Sequence, residues 1–323
     1  MEPFPPMPLD GWADTKETLH RFTQIVGKIR LAASVRRNHW WNVPFHVTGR
    51  GLTTRPMGLV DGNPIFTIDF DLVDHRLVVQ SLDGQIVSFP LAGQSVASFY
   101  QRTFDALTAL DVEVHLARPA PFDLADADRP FAQDTEHAAY DPAAVSRYWQ
   151  ILTQVSLLLE ESAAGYAGKV SPVHHFWHTF DIAVTRFSDR QVAQPASNDP
   201  VTREAYSREV ISSGFWFGDT KMPEPAFYSY TAPEPDGLAD EPLLPAQAEW
   251  VAQNGSHLAV LRYDDARSAD DPRTTILAFY DSAYQAGARR AGWDRVALAC
   301  PGGVTDPLLS PGQTIEPPPQ EPR

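Results

Sequence analysis

Histidine and tryptophan gather at two places in this chain. One is Asn38-His39-Trp40-Trp41-Asn42 and the other is His174-His175-Phe176-Trp177-His178. Imidazole titrates near neutral pH and also ligates metals. The run His174-His175-x-x-His178, with His39, His46 and His75 as further donors, has the chemistry of a zinc, iron or copper site. No Glu-x-x-His or other metal-site spacing accompanies it, and packed or surface histidines explain it more simply, so no metal is assigned. Asp69, Asp71, Asp74 and His75 form a second group. Asp69 and Asp71 share one face of a strand, where two carboxylates suit acid–base work or a hard cation. A turn at Asp74-His75 with solvent-facing aspartates accounts for the same residues and is preferred.

A third group carries more weight. From Thr18 to Val60, 43 residues contain no Asp or Glu but hold seven bases: Arg21, Lys28, Arg30, Arg36, Arg37, Arg50 and Arg55. No acid occurs between Glu161 and Asp181, where Lys169 and three histidines lie, and Arg186 follows. In a chain of net charge −15, such exclusion of acids predicts a locally positive patch able to attract anions. Lys28, Arg30, Arg50, Lys169 and Arg186 are its candidate cations. Arg is suited to forked donation toward carboxylate or phosphate. Trp40, Trp41, Trp177 and Asn42 are candidate walls, with Trp216 and Tyr228 nearby; core packing of the same indoles is the competing reading. Arg36 and Arg37 read as solvated. His39 and His174 are candidate general acid or base, with Asp181 orienting one of them. The whole scheme expects His39 and His174 to face one concavity.

The elements that would position these residues repeat. A helix is expected over 15–34, where Leu19, Phe22, Val26, Ile29 and Ala33 form one stripe. Strand-like runs follow at 43–48, 65–71, 77–81 and 86–91, the last two joined by the hairpin signal Asp83-Gly84. A helix opening at Ser95 and a closing strand over Val112–Leu116 complete this set. Asp141-Pro142 then starts another helix, followed by strand-like runs at 180–187, 208–216, 226–231 and 257–263 and a last helix from Asp271-Pro272. Phe22-Thr23-Gln24-Ile25 echoes Leu152-Thr153-Gln154-Val155, at an offset of 130, and the two aromatic-histidine clusters echo at a slightly larger one. The pattern implies an α+β protein of two similar halves, each a mainly antiparallel sheet with packed helices, related by a pseudo-twofold duplication. One continuous sheet or barrel shared by both halves is the alternative. The halves span 1–118 and 141–298, with an acidic, proline-rich connection over 119–140 and a disordered tail over 299–323.

Composition narrows the function. With 26 basic against 41 acidic residues, general binding of nucleic acid is disfavoured. A single cysteine, Cys300, excludes an internal disulfide or a multi-thiolate metal site. No stretch approaches the ~20 apolar residues of a membrane span. Met1-Glu2-Pro3-Phe4 has no secretion-signal character, which predicts a cytoplasmic protein. No cofactor motif occurs, and nothing fixes the oligomeric state. The expected partner is a small anionic ligand. The first expectation is an enzyme acting on a small anionic metabolite in a basic, Trp/His-lined cleft between the halves. The alternative is a non-catalytic binding protein or sensor using the same cleft. The weakest is an interaction subunit working through the proline-rich loops at 119–140 and 223–245.

Three segments carry a family resemblance. They are Thr23 to Leu31 with Asn38-His39-Trp40-Trp41-Asn42-Val43-Pro44; Asp69-Phe70-Asp71 with Asp74-His75-Arg76-Leu77; and Ser171-Pro172-Val173-His174 with Phe176-Trp177, Phe180-Asp181 and Thr185-Arg186-Phe187-Ser188. Glu209 to Ser212, Gly214-Phe215-Trp216 and Glu224 to Tyr228 extend the match. Together they resemble the bacterial family called domain of unknown function 5996, over roughly 8–295. The resemblance implies no activity. It includes His174, whereas His175 and His178 depart from the family pattern.

Overall fold

The computed structural model describes residues 2–59, 62–220, 222–306 and 308–309. Helix α1 (Ala13–Ala33) forms where the apolar stripe predicts it, and Leu19, Phe22, Val26, Ile29 and Ala33 are all buried. Five strands follow: β1 (His46–Thr48), β2 (Gly51–Thr53), β3 (Phe66–Asp71), β4 (Arg76–Ser81) and β5 (Ile86–Pro90), paired antiparallel in chain order. In β3, buried Phe66, Ile68 and Phe70 alternate with half-buried Thr67, Asp69 and Asp71, as one covered face requires. Helix α2 (Val96–Thr108) begins where Ser95 Oγ accepts the Ser98 N–H, a serine N-cap. It packs on this sheet and on α1, with the Phe22 and Phe99 rings stacked at 3.9 Å.

The second half has the same succession. Helix α3 (Pro142–Ala164) precedes β6 (His174–Phe176), β7 (Asp181–Gln191), β8 (Arg208–Trp216), β9 (Ala226–Ala232), β10 (Glu249–Gln253) and β11 (Ser256–Arg262). Short helix α4 (Pro200–Ala205) interrupts the β7–β8 connection. The chain then enters α5 (Tyr263–Arg267) and α6 (Pro272–Arg290). Spatial order is β10-β11-β9-β8-β7-β6, all antiparallel. Leaving out β10, an extra strand on the outer edge, each half is a helix, five antiparallel neighbours and a helix. The chain is therefore an α+β protein with two sheet-bearing halves.

The sheets meet at their first strands. Phe45 N–H donates to His175 O at 2.9 Å and His175 N–H to Phe45 O at 3.0 Å. This reciprocal pair seals the edges of β1 and β6, which would otherwise expose unpaired backbone. Residues 45 and 175 are separated by 130 positions, the separation of the echoing words in α1 and α3. One apolar core crosses the junction, from Phe22 and Phe99 through Phe45 and Tyr148 to Phe215 and Tyr280.

Several local expectations needed correction. Val112–Leu116 is not a strand; the Asn63 side chain takes both backbone groups of Glu113, at 2.7 and 2.9 Å, in place of a neighbouring strand. Strands β2, β6 and β10 escaped notice because two have only three residues and β10 is largely exposed. The 119–140 connection docks on α1, where buried Arg21 binds Asp126 at 2.6 Å and Asp134 at 3.5 Å. In the expected tail, Ala299 bridges Tyr166 and Pro301–Gly303 makes a short turn; residues 307 and 310–323 lie outside the described residues.

Candidate functional site

Beside the junction of β1 and β6 a cleft of about 350 Å³ opens, at the small end of ligand pockets. Its cationic residues come from three elements: Arg30 from the last turn of α1, Arg37 from the segment after it, and Arg55 from the loop after β2. His46 on β1 and His174 on β6 face it, and Ser34, Trp41 and Asn42 complete the polar side. Among the described residues no Asp or Glu lines it. None of the three guanidiniums is ion-paired among them either, whereas Arg21, Arg50, Arg129 and Arg190 are.

The chain buries a cation and an imidazole here without a charge partner among the described residues. Arg30 is only 5 % exposed and its Nε has no hydrogen-bond partner. Burial, then the charge of Arg55, lowers its pKa to about 10. His174 is 1 % exposed and neither ring nitrogen has a partner. Buried polar groups without partners are rare in folded proteins. Burial first, then His46 and the three guanidiniums, pushes the His174 pKa down to about 3. Burial followed by Arg55, Arg30 and Arg37 brings His46 to about 4. The two imidazoles meet edge to face, 5.2 Å between ring centroids. At neutral pH both are uncharged in the empty cleft.

Local hydrogen bonds fix the polar wall. Ser34 Oγ donates to Arg30 O, and Asn42 Nδ2 donates to Ser34 Oγ at 3.0 Å. Arg37 N–H donates to Asn42 Oδ1 at 3.2 Å. The Trp41 ring lies under two cations, Lys169 Nζ at 5.1 Å and the Arg37 guanidinium at 5.9 Å. Arg37 is exposed, as expected, and also lines the cleft.

The cleft brings together Arg30, Trp41, Asn42 and His174, with Lys169 Nζ 5.1 Å from the Trp41 ring but outside the lining. It does not include His39. That residue adopts φ +53 in a turn before β1. Its N–H donates to Glu204 Oε1 at 2.9 Å, its Nδ1 lies 3.2 Å from Glu204 O, and its ring packs on Phe187 at 4.4 Å. The Phe45–His175 bridge sets His174 beside the Pro44–Phe45 segment and not beside His39. Trp40 donates from Nε1 to Val201 O at 3.2 Å. Trp177 is buried, its Nε1 donating to Val43 O at 3.0 Å and its ring filling the space left by Gly27, where a Cβ would lie 2.2 Å from the indole.

The remaining candidates lie elsewhere. Arg50 is spent on the surface, 2.8 Å from Asp71 and 2.6 Å from Asp74. Asp71 Oδ1 also accepts the Val73 and Asp74 N–H groups, which is the turn chemistry expected there. Arg186 is buried beneath Tyr284, 4.4 Å from its ring, and donates to Ser162 O at 2.6 Å. Lys28 is half-buried, its pKa lowered by burial and Arg118. Asp181 accepts hydrogen bonds from Tyr228 and Thr179, away from the cleft. Trp216 is also away from it, 6.3 Å from the Tyr228 ring.

The histidine run divides because strand neighbours point to opposite faces. His174 faces the cleft, while His175 faces the core, its Nε2 2.6 Å from Tyr148 Oη and its pKa lowered to about 3 by burial. Among the described residues, three potential ligand atoms gather instead at Asp126, Asp134 and His137. There Arg21 and Arg129 already supply the positive charge.

Sequence reasoning passed over Arg55 and Arg37 as site residues and weighed His46 only as a metal donor. All three sit in the acid-free window, which was the available signal.

The fold defines an α+β protein with two sheet-bearing halves, and among the described residues no Asp or Glu lines the cleft beside their junction. The model of the family of unknown function DUF5996 matches residues 4–300, and the chain belongs to that family. No curated protein and no solved structure is detectably similar to it. Among the described residues no helix is long and apolar enough to cross a membrane.

Proposed function

We propose that the chain binds a small anionic metabolite in the cleft formed by Arg30, Arg37, Arg55, His46 and His174. The observation that carries this reading is the convergence of three guanidiniums with no carboxylate among the described residues. A site of that sign draws in the opposite charge, and charge-assisted bonds from Arg are among the stronger polar contacts. A ligand there also supplies partners for Arg30 Nε and the His174 ring.

Thermal unfolding with a panel of small carboxylates, phosphates and amines tests it. An anion at about 100 times its Kd adds about 2.7 kcal/mol of stability. The gain should vanish in Arg30→Met, and amines should give none. If no anion raises the melting temperature, or Arg30→Met responds like the wild type, the reading is wrong.

The imidazole pair favours a chemical step as the second reading. A bound anion offsets the guanidinium charge and raises the pKa of His46 and His174 toward the range useful for general acid–base work. Ser34 Oγ, the hydroxyl in the cleft wall, is tied to Arg30 O and Asn42, so a nucleophilic role is disfavoured. Loss of turnover without loss of binding in His174→Gln separates an enzyme from a sensor. A duplication origin fits the shared succession of elements. Only one half acquired the basic residues, since Glu160 and Phe176 stand 130 positions after Arg30 and His46. A cytoplasmic setting accords with the single buried thiol of Cys300.

A further inference from the structure

The anion-binding reading leaves the ligand's chemistry open, and three features of the cleft narrow it. The first is charge. Arg30, Arg37 and Arg55 come from separate elements, and no carboxylate opposes them among the described residues. A monocarboxylate leaves two of these charges uncompensated; a doubly ionisable head compensates more.

The second feature is hydrogen bonding. A neutral imidazole has one N–H donor and one bare acceptor nitrogen. Both nitrogens of His174 are buried without partners. An ionised carboxylate only accepts, so while the ring stays neutral it can satisfy the donor nitrogen alone. A phosphate monoester has a second pKa near 6. It can keep one P–O–H to donate to the bare nitrogen while its other oxygens accept from guanidinium and N–H.

The third feature is the rim. Leu59 and Val35 stand at the cleft with 74 % and 71 % of their surface exposed, and Met57 and Ile65 lie behind them. Exposed aliphatic side chains beside a cationic floor match a ligand with an apolar body. The backbone is committed to this arrangement. Leu59 sits at φ +62, and Gly58 sits at φ +95, where a Cβ would come within 2.1 Å of Pro64 O. A non-glycine residue in that region carries strain, which clusters at functional sites.

We propose that the cleft binds a phosphate monoester with an apolar body, its head among Arg30, Arg37, Arg55 and His174 and its body against Leu59, Val35 and Met57. This inference rests on the anion-binding reading. The head and the imidazoles share one proton. At pH 7.5 the free ester is mostly a dianion, so binding takes a proton from solvent. Among the described residues, the charged groups facing His174 and His46 are Arg30 from α1, Arg37 from the following segment and Arg55 from the loop after β2. All three favour the neutral imidazole when the cleft is empty, and the bound dianion reverses that bias.

Isothermal titration of the full chain with phenyl phosphate, inorganic phosphate and benzoate, in two buffers of different ionisation enthalpy, tests the assignment. Phenyl phosphate should bind about tenfold or more tighter than either other probe, a difference of about 1.4 kcal/mol or more, with uptake of up to one proton. Arg55→Met should weaken phenyl phosphate about tenfold or more, with circular dichroism confirming an intact fold. Benzoate binding as tightly as phenyl phosphate, with the Arg55 dependence intact, overturns the phosphate head but leaves the anion cleft standing. Inorganic phosphate matching phenyl phosphate overturns the apolar body. If none of the three binds, the anion-binding reading and this inference fall together.

Discussion

Replacing His174 with Gln should flatten the acid limb of the protein's stability curve by one proton. The reasoning is a linkage. An unfolded histidine titrates near 6.5, whereas burial holds His174 down to about 3 in the folded chain. Well above pH 6.5 the residue is neutral in both states and contributes no pH dependence. Between 6.5 and about 3 only the unfolded state takes up the proton, so stability falls as pH falls. Each pH unit costs about 1.4 kcal/mol once the unfolded residue is protonated. From pH 6.5 to 4.5 the loss due to this residue approaches about 2.7 kcal/mol, less the rounding near the unfolded pKa. His46 and His175 add similar terms, but both remain in the variant. Urea unfolding followed by circular dichroism at pH 4.5, 5.5, 6.5 and 7.5 reads the difference. The wild-type and His174→Gln curves should converge as pH falls, by about 2 to 2.7 kcal/mol over the range. Parallel curves would refute the claim that His174 is held neutral in the fold.

Three other substitutions probe neighbouring parts of the account. Gly27→Ala should destabilise by about 1–3 kcal/mol in urea unfolding, because its Cβ would overlap the Trp177 ring; an unchanged midpoint contradicts the packing. Tyr148→Phe should cost about 1–3 kcal/mol, since it removes the partner of buried His175; a neutral result means that bond is not needed. Arg50→Ala should leave the urea midpoint nearly unchanged and anion titrations unaltered, because Arg50 is an exposed partner of Asp71 and Asp74. A loss of anion binding in Arg50→Ala would move the site to another face.

Much of this architecture can be read from the letters because local signals and global packing agree. The stripe from Leu19 to Ala33 is α1, and Asp83-Gly84 is the turn between β4 and β5. Three-residue β2 and β6 carry too little periodicity to register, and Val112–Leu116 alternates like a strand but finds Asn63 instead of a strand partner. For the cleft, the missing acids between Thr18 and Val60 point to the right region, since Arg30, Arg37, His46 and Arg55 all fall inside it. That a histidine of the second half joins these cations depends on the Phe45–His175 pairing, a contact across 130 residues that no local pattern encodes. That pairing places His174 at the cleft and leaves His39 with Glu204.

Long-range proton–nitrogen spectra of the imidazoles, recorded during a titration with phenyl phosphate, test the central claim most directly. His46 and His174 should shift together and saturate, with His174 moving toward protonation and His39 staying still. Shifts at His39 with none at His174, or no saturable shift at any imidazole, would contradict an anion site at the seam of the two halves.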